Sequence, residues 1–237
     1  MNHAMKHPAP KPPELAEHNG LAYAMFVPPG VPECGVVILH GAGSAKESHF
    51  DFARGCRADG IAALAFDARG HGGSHGRFGP SAIDDVLEMV ALLRRRVGSV
   101  ALRGSSMGGF QAIHAAAADP SLSSVVAICP APESSLRRML RSDEPLRFRC
   151  DVPATERWLE SLDLYDAVGR LGAQTALLLL HARGDEQIPW TVSEELHEAA
   201  HEPKRLLVLP GGHHRSLQHD VELQALSRRW ILDAARA

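Results

Sequence analysis

The chain carries no basic surplus. Its 25 Lys and Arg against 28 Asp and Glu give a formal net charge of −3, which leaves nothing to hold a phosphate backbone and excludes nucleic acid as the main partner. Long hydrophobic runs are also missing. Runs such as Ala176 to Leu180 fall far short of the roughly 20 residues a helix needs to cross a bilayer. The first twenty residues hold His3, Lys6, His7, Lys11 and four prolines but no apolar core, so they do not read as a secretory signal; residues 1–19 are expected to be a flexible, proline-rich tail. Cysteine is scarce and unpaired in pattern: Cys34, Cys56, Cys129 and Cys150 form no C-x-x-C motif. Three of them lie in or beside apolar runs, where a free thiol packs as a small hydrophobe, and a reducing, cytoplasmic setting follows.

What is present is a large core. With 237 residues, 45% of them hydrophobic and 22% charged, the chain is long enough for one domain and too short for two with linkers, so residues 20–237 are read as a single domain. Short β-type runs begin at Leu21, Gly35, Ile61, Ser99, Ser124, Thr175 and Arg205 and alternate with helical patterns. That alternation predicts an α/β fold, a mostly parallel central sheet with helices on both faces. Several runs are continuously apolar, among them Val36 to Leu39, Val125 to Ile128 and Leu177 to Leu180, as central strands covered on both faces should be. A helix is expected from Ile83 to Val97, with Ser81 and Asp84 as a capping box and Gly98 as its stop, and another from Val221 to Ala234. Residues 131–164 break the rhythm with charge, proline and a few large apolar side chains (Met139, Phe148, Trp158). They are too long for a plain loop and predict a small helical cap inserted after the Ser124 strand, over the strand ends where ligands bind.

Gly104-Ser105-Ser106-Met107-Gly108 reads G-x-S-x-G between an apolar run and a helical one, the pattern of a sharp strand-to-helix turn that exposes Ser106. A serine hydroxyl is a poor nucleophile, so acyl transfer also needs a histidine base, a carboxylate to orient it and donors for the oxyanion. Candidates stand at the ends of later strands: Asp185 in Gly184-Asp185-Glu186-Gln187-Ile188-Pro189 and His214 in Gly211-Gly212-His213-His214, with Glu186 and His213 as rivals. The backbone amide of Met107 and that of Ala42, in the small-residue loop His40-Gly41-Ala42-Gly43, are the candidate oxyanion donors.

Together with Asp67-Ala68-Arg69-Gly70-His71-Gly72-Gly73-Ser74, these segments give the chain a resemblance to the α/β-hydrolases over roughly residues 20 to 235, in particular to compact esterases and to lysophospholipase-like and serine aminopeptidase-like members. The resemblance implies hydrolysis of an ester, thioester or amide with no cofactor and no metal, through Ser106, Asp185 and His214 in the family's order. The family's spacing favours Asp185 over Glu186, and His214 over His213. A small cap and modest aromatic content point to a short or medium acyl ester as the small-molecule substrate. Two readings of other classes stay open: a ligand-binding receptor on the same fold with slow turnover, and a zinc hydrolase through His197-Glu198-Ala199-Ala200-His201, which fits H-E-x-x-H.

Overall fold

The structure, a computed structural model, describes residues 11–237. In chain order its elements are β1 (Glu14–His18), β2 (Leu21–Phe26), β3 (Cys34–Leu39), α1 (Phe50–Ala58), β4 (Ile61–Phe66), α2 (Ala82–Arg94), β5 (Val100–Ser105), α3 (Met107–Ala118), β6 (Ser124–Ile128), α4 (Glu133–Leu140), α5 (Val152–Glu160), α6 (Leu164–Gly169), β7 (Ala176–Ala182), α7 (Thr191–Ala199), β8 (Lys204–Leu209) and α8 (Val221–Arg236). The strands form one sheet in the order β1-β2-β4-β3-β5-β6-β7-β8. Only β1 with β2 and β2 with β4 run antiparallel; from β4 to β8 every neighbour is parallel.

Every residue of β3, β4, β5, β6 and β7 is buried. Their side chains alternate between two apolar layers, as strand geometry requires. Val37, Leu39, Leu64, Leu102, Val125 and Leu177 face one layer, while Val36, Ile38, Ala63, Ala101, Val126 and Leu178 face the other. Helices α2 and α3 cover the first layer, and α1 and α8 the second. Among the described residues no helix is long and apolar enough to cross a membrane.

Three expectations are corrected, one at the N-terminal side and two at α2. Residues 14–18, expected within a flexible tail, are a strand: Asn19 and Gly20 take φ of 50° and 81°, the paired positive values of a tight hairpin turn, and register Glu14 opposite Met25. The rest of that expectation, residues 1–10, lies outside the described residues. The capping box at α2 does not form. Ser81 already has a helical backbone (φ −79°, ψ −1°) and makes no side-chain cap, because a hydroxyl reaches the next turn's amide only from an extended N-cap. The helix ends at Arg94, which pairs with Asp119 at 2.6 Å, rather than at Val97. Between β6 and β7, α4 and α5 occupy the segment expected to cap the strand ends, residues 131–164, and α6 follows it. Leu136, Leu140 and Leu159 anchor it in the core, with Trp158 set edge-on to Phe78 and Phe110, both at 5.9 Å.

Candidate active site

Ser106 stands between the last residue of β5 and the first of α3 with φ 55° and ψ −117°. That backbone region costs a non-glycine residue of order 1–3 kcal/mol, held only where surroundings over-determine it. Here they do: the Ser106 amide donates to Ile128 O at 2.8 Å, and its carbonyl accepts from Phe110 N and Ala131 N. The glycines on either side are required by close approach. A β-carbon on Gly104 would lie 2.0 Å from Gly108 O, and one on Gly108 would lie 2.4 Å from Leu39 O.

The loop after β3 comes alongside. His40 donates from Nδ1 to Gly41 O at 2.8 Å and accepts on Nε2 from Ala68 N at 3.0 Å, so it is a neutral ring tying this loop to the one after β4. Burial keeps its pKa below the ordinary histidine value, outweighing the bond to Gly41. Further along, Asp67 accepts from the Lys46 amide and ammonium, each at 2.7 Å, and from Gly73 N at 2.8 Å. Among the described residues, neither the Ala42 nor the Met107 amide donates to a protein acceptor, and Ala42 borders the cleft beside Ser106.

Asp185 and His214 meet at the ends of β7 and β8. Asp185 Oδ2 accepts from His214 Nδ1 at 2.7 Å, and its Oδ1 accepts from the amides of Gln187 and Ile188 at 2.8 and 2.9 Å. The loops that carry Asp185 and His214 touch directly: a β-carbon on Gly184 would lie 2.4 Å from Gly212 O. A second histidine stands behind the carboxylate. His181 Nε2 lies 3.4 Å from Asp185 Oδ2 and 3.1 Å from Ile188 O, while its Nδ1 is 2.7 Å from Ser193 Oγ. Burial raises the Asp185 pKa, but hydrogen bonds from His181, His214, Ile188 and Gln187 outweigh that and hold the carboxyl far below the usual carboxylate range. It is an anion hydrogen-bonded to the His214 ring.

Neither rival makes the Asp185–His214 ring contact. His213 is exposed, and its Nδ1 accepts from Arg215 N at 3.3 Å; Glu186 accepts from the His214 backbone amide at 3.1 Å, not from its ring. His197 and His201 do not share a helix face, since α7 stops at Ala199 and Ala200 is extended (φ −74°, ψ 155°). Lys204 Nζ closes that helix end on His197 O and Ala200 O. Among the described residues the one cluster with metal-ligand spacing is Cys129, His181 and Asp185, whose carboxylate is already bound to His214. Sequence reasoning missed His181 and the Lys46–Asp67 pair; the signal for His181 is its place four residues before Asp185 at the end of an apolar run.

Ser106, Ala42, Asp185 and His214 all border one cleft of about 1170 Å³, walled on the cap side by Leu136, Met139, Leu146 and Phe148. Phe148 stacks on His71 at 4.3 Å, and burial lowers the His71 pKa to about 4, which keeps that ring neutral.

Residues 30–142 match the protein family described as serine aminopeptidase, S33 (Hydrolase_4). The uncharacterized protein Rv2307c of Mycobacterium tuberculosis is 31% identical over 214 residues, which span 85% of this chain and 68% of that protein. Among solved structures the chain is similar to Est1E from Butyrivibrio proteoclasticus, with a TM-score of 0.73, 16% identity and coverage of 96% of this chain and 100% of that one. It is likewise similar to the monoacylglycerol lipase of Paleococcus ferrophilus, with a TM-score of 0.71, 21% identity and coverage of 93% and 99%. Sheet order, the serine at the β5–α3 turn and the sequence matches agree, and the chain belongs to the α/β-hydrolase family.

Proposed function

We propose that the protein is a serine hydrolase that cleaves a carboxylic ester of short or medium acyl length. The observation that carries this reading is the buried 2.7 Å bond between Asp185 and the Nδ1 of His214, at the border of the cleft that Ser106 enters from its strained turn. In the proposed reaction Ser106 Oγ attacks the carbonyl carbon as its proton passes to His214 Nε2. Asp185 holds the ring's tautomer and stabilises its charge, and the amides of Ala42 and Met107 take the oxyanion. Collapse breaks the bond to the alcohol, which leaves with the proton from His214. Water then repeats the sequence on the acyl-enzyme, returning the acid and free Ser106. The apolar cap wall of Leu136, Met139, Leu146 and Phe148 would take the acyl chain.

Multiple-turnover hydrolysis of para-nitrophenyl acetate, butyrate and hexanoate tests the reading. Steady turnover past one equivalent, insensitive to a chelator, is expected. A single burst with no further turnover would favour a binding protein, and loss of turnover on chelation would favour a metal-dependent reaction.

A further inference from the structure

Three arginines from separate segments border the cleft: Arg138 on α4, Arg147 in the cap between α4 and α5, and Arg215 directly after His214. Among the described residues none of the three forms an ion pair, whereas Arg137 and Arg141 of the same cap pair with Glu160 and Glu156. Two glutamates share the border. Glu186 is engaged by the His214 amide at 3.1 Å and the Gln187 side chain at 3.4 Å, and Glu144 lies at the exposed rim. Asp185 is sealed, its side chain 0% exposed and bound to His214. Arg138, Arg147 and Arg215 are themselves exposed at that border, three cations with no ion-pair partner among the described residues, in a chain whose net charge is −3.

Arg147 is held in place. Its stem lies against the oxyanion loop, so that a β-carbon on Gly43 would come within 3.0 Å of Arg147 Cβ. The residues after it are pinned: Phe148 stacks on His71, and Arg149 donates through its amide to Gly70 O at 3.0 Å and through Nη2 to Ser74 O at 2.8 Å. Arg138 is fixed through Nη2 to Gln187 O at 3.1 Å. Arg215 follows the base. A guanidinium presents a planar fork that fits a carboxylate or phosphate through two parallel hydrogen bonds.

We propose that the substrate is an ester that itself carries an oxyanion group, a carboxylate or phosphate, bound by Arg147 and Arg215 while Ser106 attacks the carbonyl. This rests on the serine-hydrolase reading above. Binding energy from that remote group fixes the carbonyl against the nucleophile and is expressed in kcat/KM.

The test compares two matched pairs: para-nitrophenyl hexanoate with mono-para-nitrophenyl adipate, which places the anion on the acyl side, and methyl para-acetoxybenzoate with para-acetoxybenzoate, which places it on the alcohol side. Each kcat/KM is normalised to the ester's own alkaline hydrolysis. The charged member of at least one pair is expected to be favoured about tenfold, as one charge-assisted contact provides, and the preference should fall with added salt. Arg147→Gln with Arg215→Gln should abolish the preference, and the paired lysine substitutions should keep part of it. Equal values in both pairs, or a preference that survives the double glutamine variant, would overturn the proposal. If no ester is turned over and a fluorophosphonate leaves Ser106 unmodified, the serine-hydrolase reading itself fails, an outcome distinct from an active enzyme without charge preference.

Discussion

Ser106 and the Gly41-Ala42-Gly43 loop rest on β5 and β3, where every side chain is buried and Gly104 and Gly108 are held by backbone contacts that leave no room for a β-carbon. The cap from α4 to α5 is made differently: two short helices joined by exposed Arg–Glu pairs, Arg137 with Glu160 and Arg141 with Glu156, anchored by a few leucines and one tryptophan. The floor is over-determined by packing, whereas the exposed ion pairs that join the cap helices are worth little each. A close-packed floor can store the strain of Ser106 and keep donors aligned; a loosely tied cap can vary its lining without disturbing them. On this account reaction type belongs to the sheet and substrate choice to the cap.

The sharpest way to break that comparison is at the floor's chemical groups. Ser106→Ala and His214→Ala should each lower kcat for an ester by roughly 10⁴-fold or more, whereas His213→Ala should retain most activity; the reverse ranking of the two histidines, read in steady-state rates, would remove His214 as base. Next in size is packing. Gly108→Ala sets a β-carbon 2.4 Å from Leu39 O, which the buried backbone cannot yield, and should cost about 3 kcal/mol in urea denaturation. A cost near zero would show the floor to be as adaptable as the cap.

Asp185 supplies a pH-dependent test. Its folded pKa lies below the unfolded value, so its ionised form stabilises the fold above the unfolded carboxyl value of about 4, and that contribution is lost as pH falls toward the folded value. Asp185→Asn should therefore lower Tm most at neutral pH, with the gap to the parent protein narrowing toward pH 3, about one unit below that unfolded value. A gap that widens on acidification would contradict the network drawn around Asp185. The smallest effect belongs to the cap. Arg141→Met removes an exposed pair with Glu156 and should change stability by less than about 1 kcal/mol, measured by the same denaturation; a larger loss would mean that the cap's ion pairs act as a network.

The central strands were legible in the sequence because burial on both faces forces continuous apolar runs such as Leu177 to Leu180. Ser106, Asp185 and His214 stood out as candidates because each follows a β-type run, and the structure sets all three at the border of one cleft. Strand β1 was not, since Glu14-Leu15-Ala16-Glu17-His18 is an exposed edge ordered by backbone pairing to β2 rather than by hydrophobic alternation. Its one local signal was Asn19-Gly20. The H-E-x-x-H pattern misled because spacing alone ignores where a helix stops, and α7 stops two residues before His201. Contacts such as Lys46 with Asp67, 21 residues apart, exist only once β3 and β4 are neighbours.

The most direct test of the central claim is to react the purified protein with a fluorophosphonate and to map the adduct by intact mass and peptide analysis. One adduct on Ser106, absent from His214→Ala, is the result this account predicts. A folded protein that takes no adduct, or takes it at another residue, would contradict it.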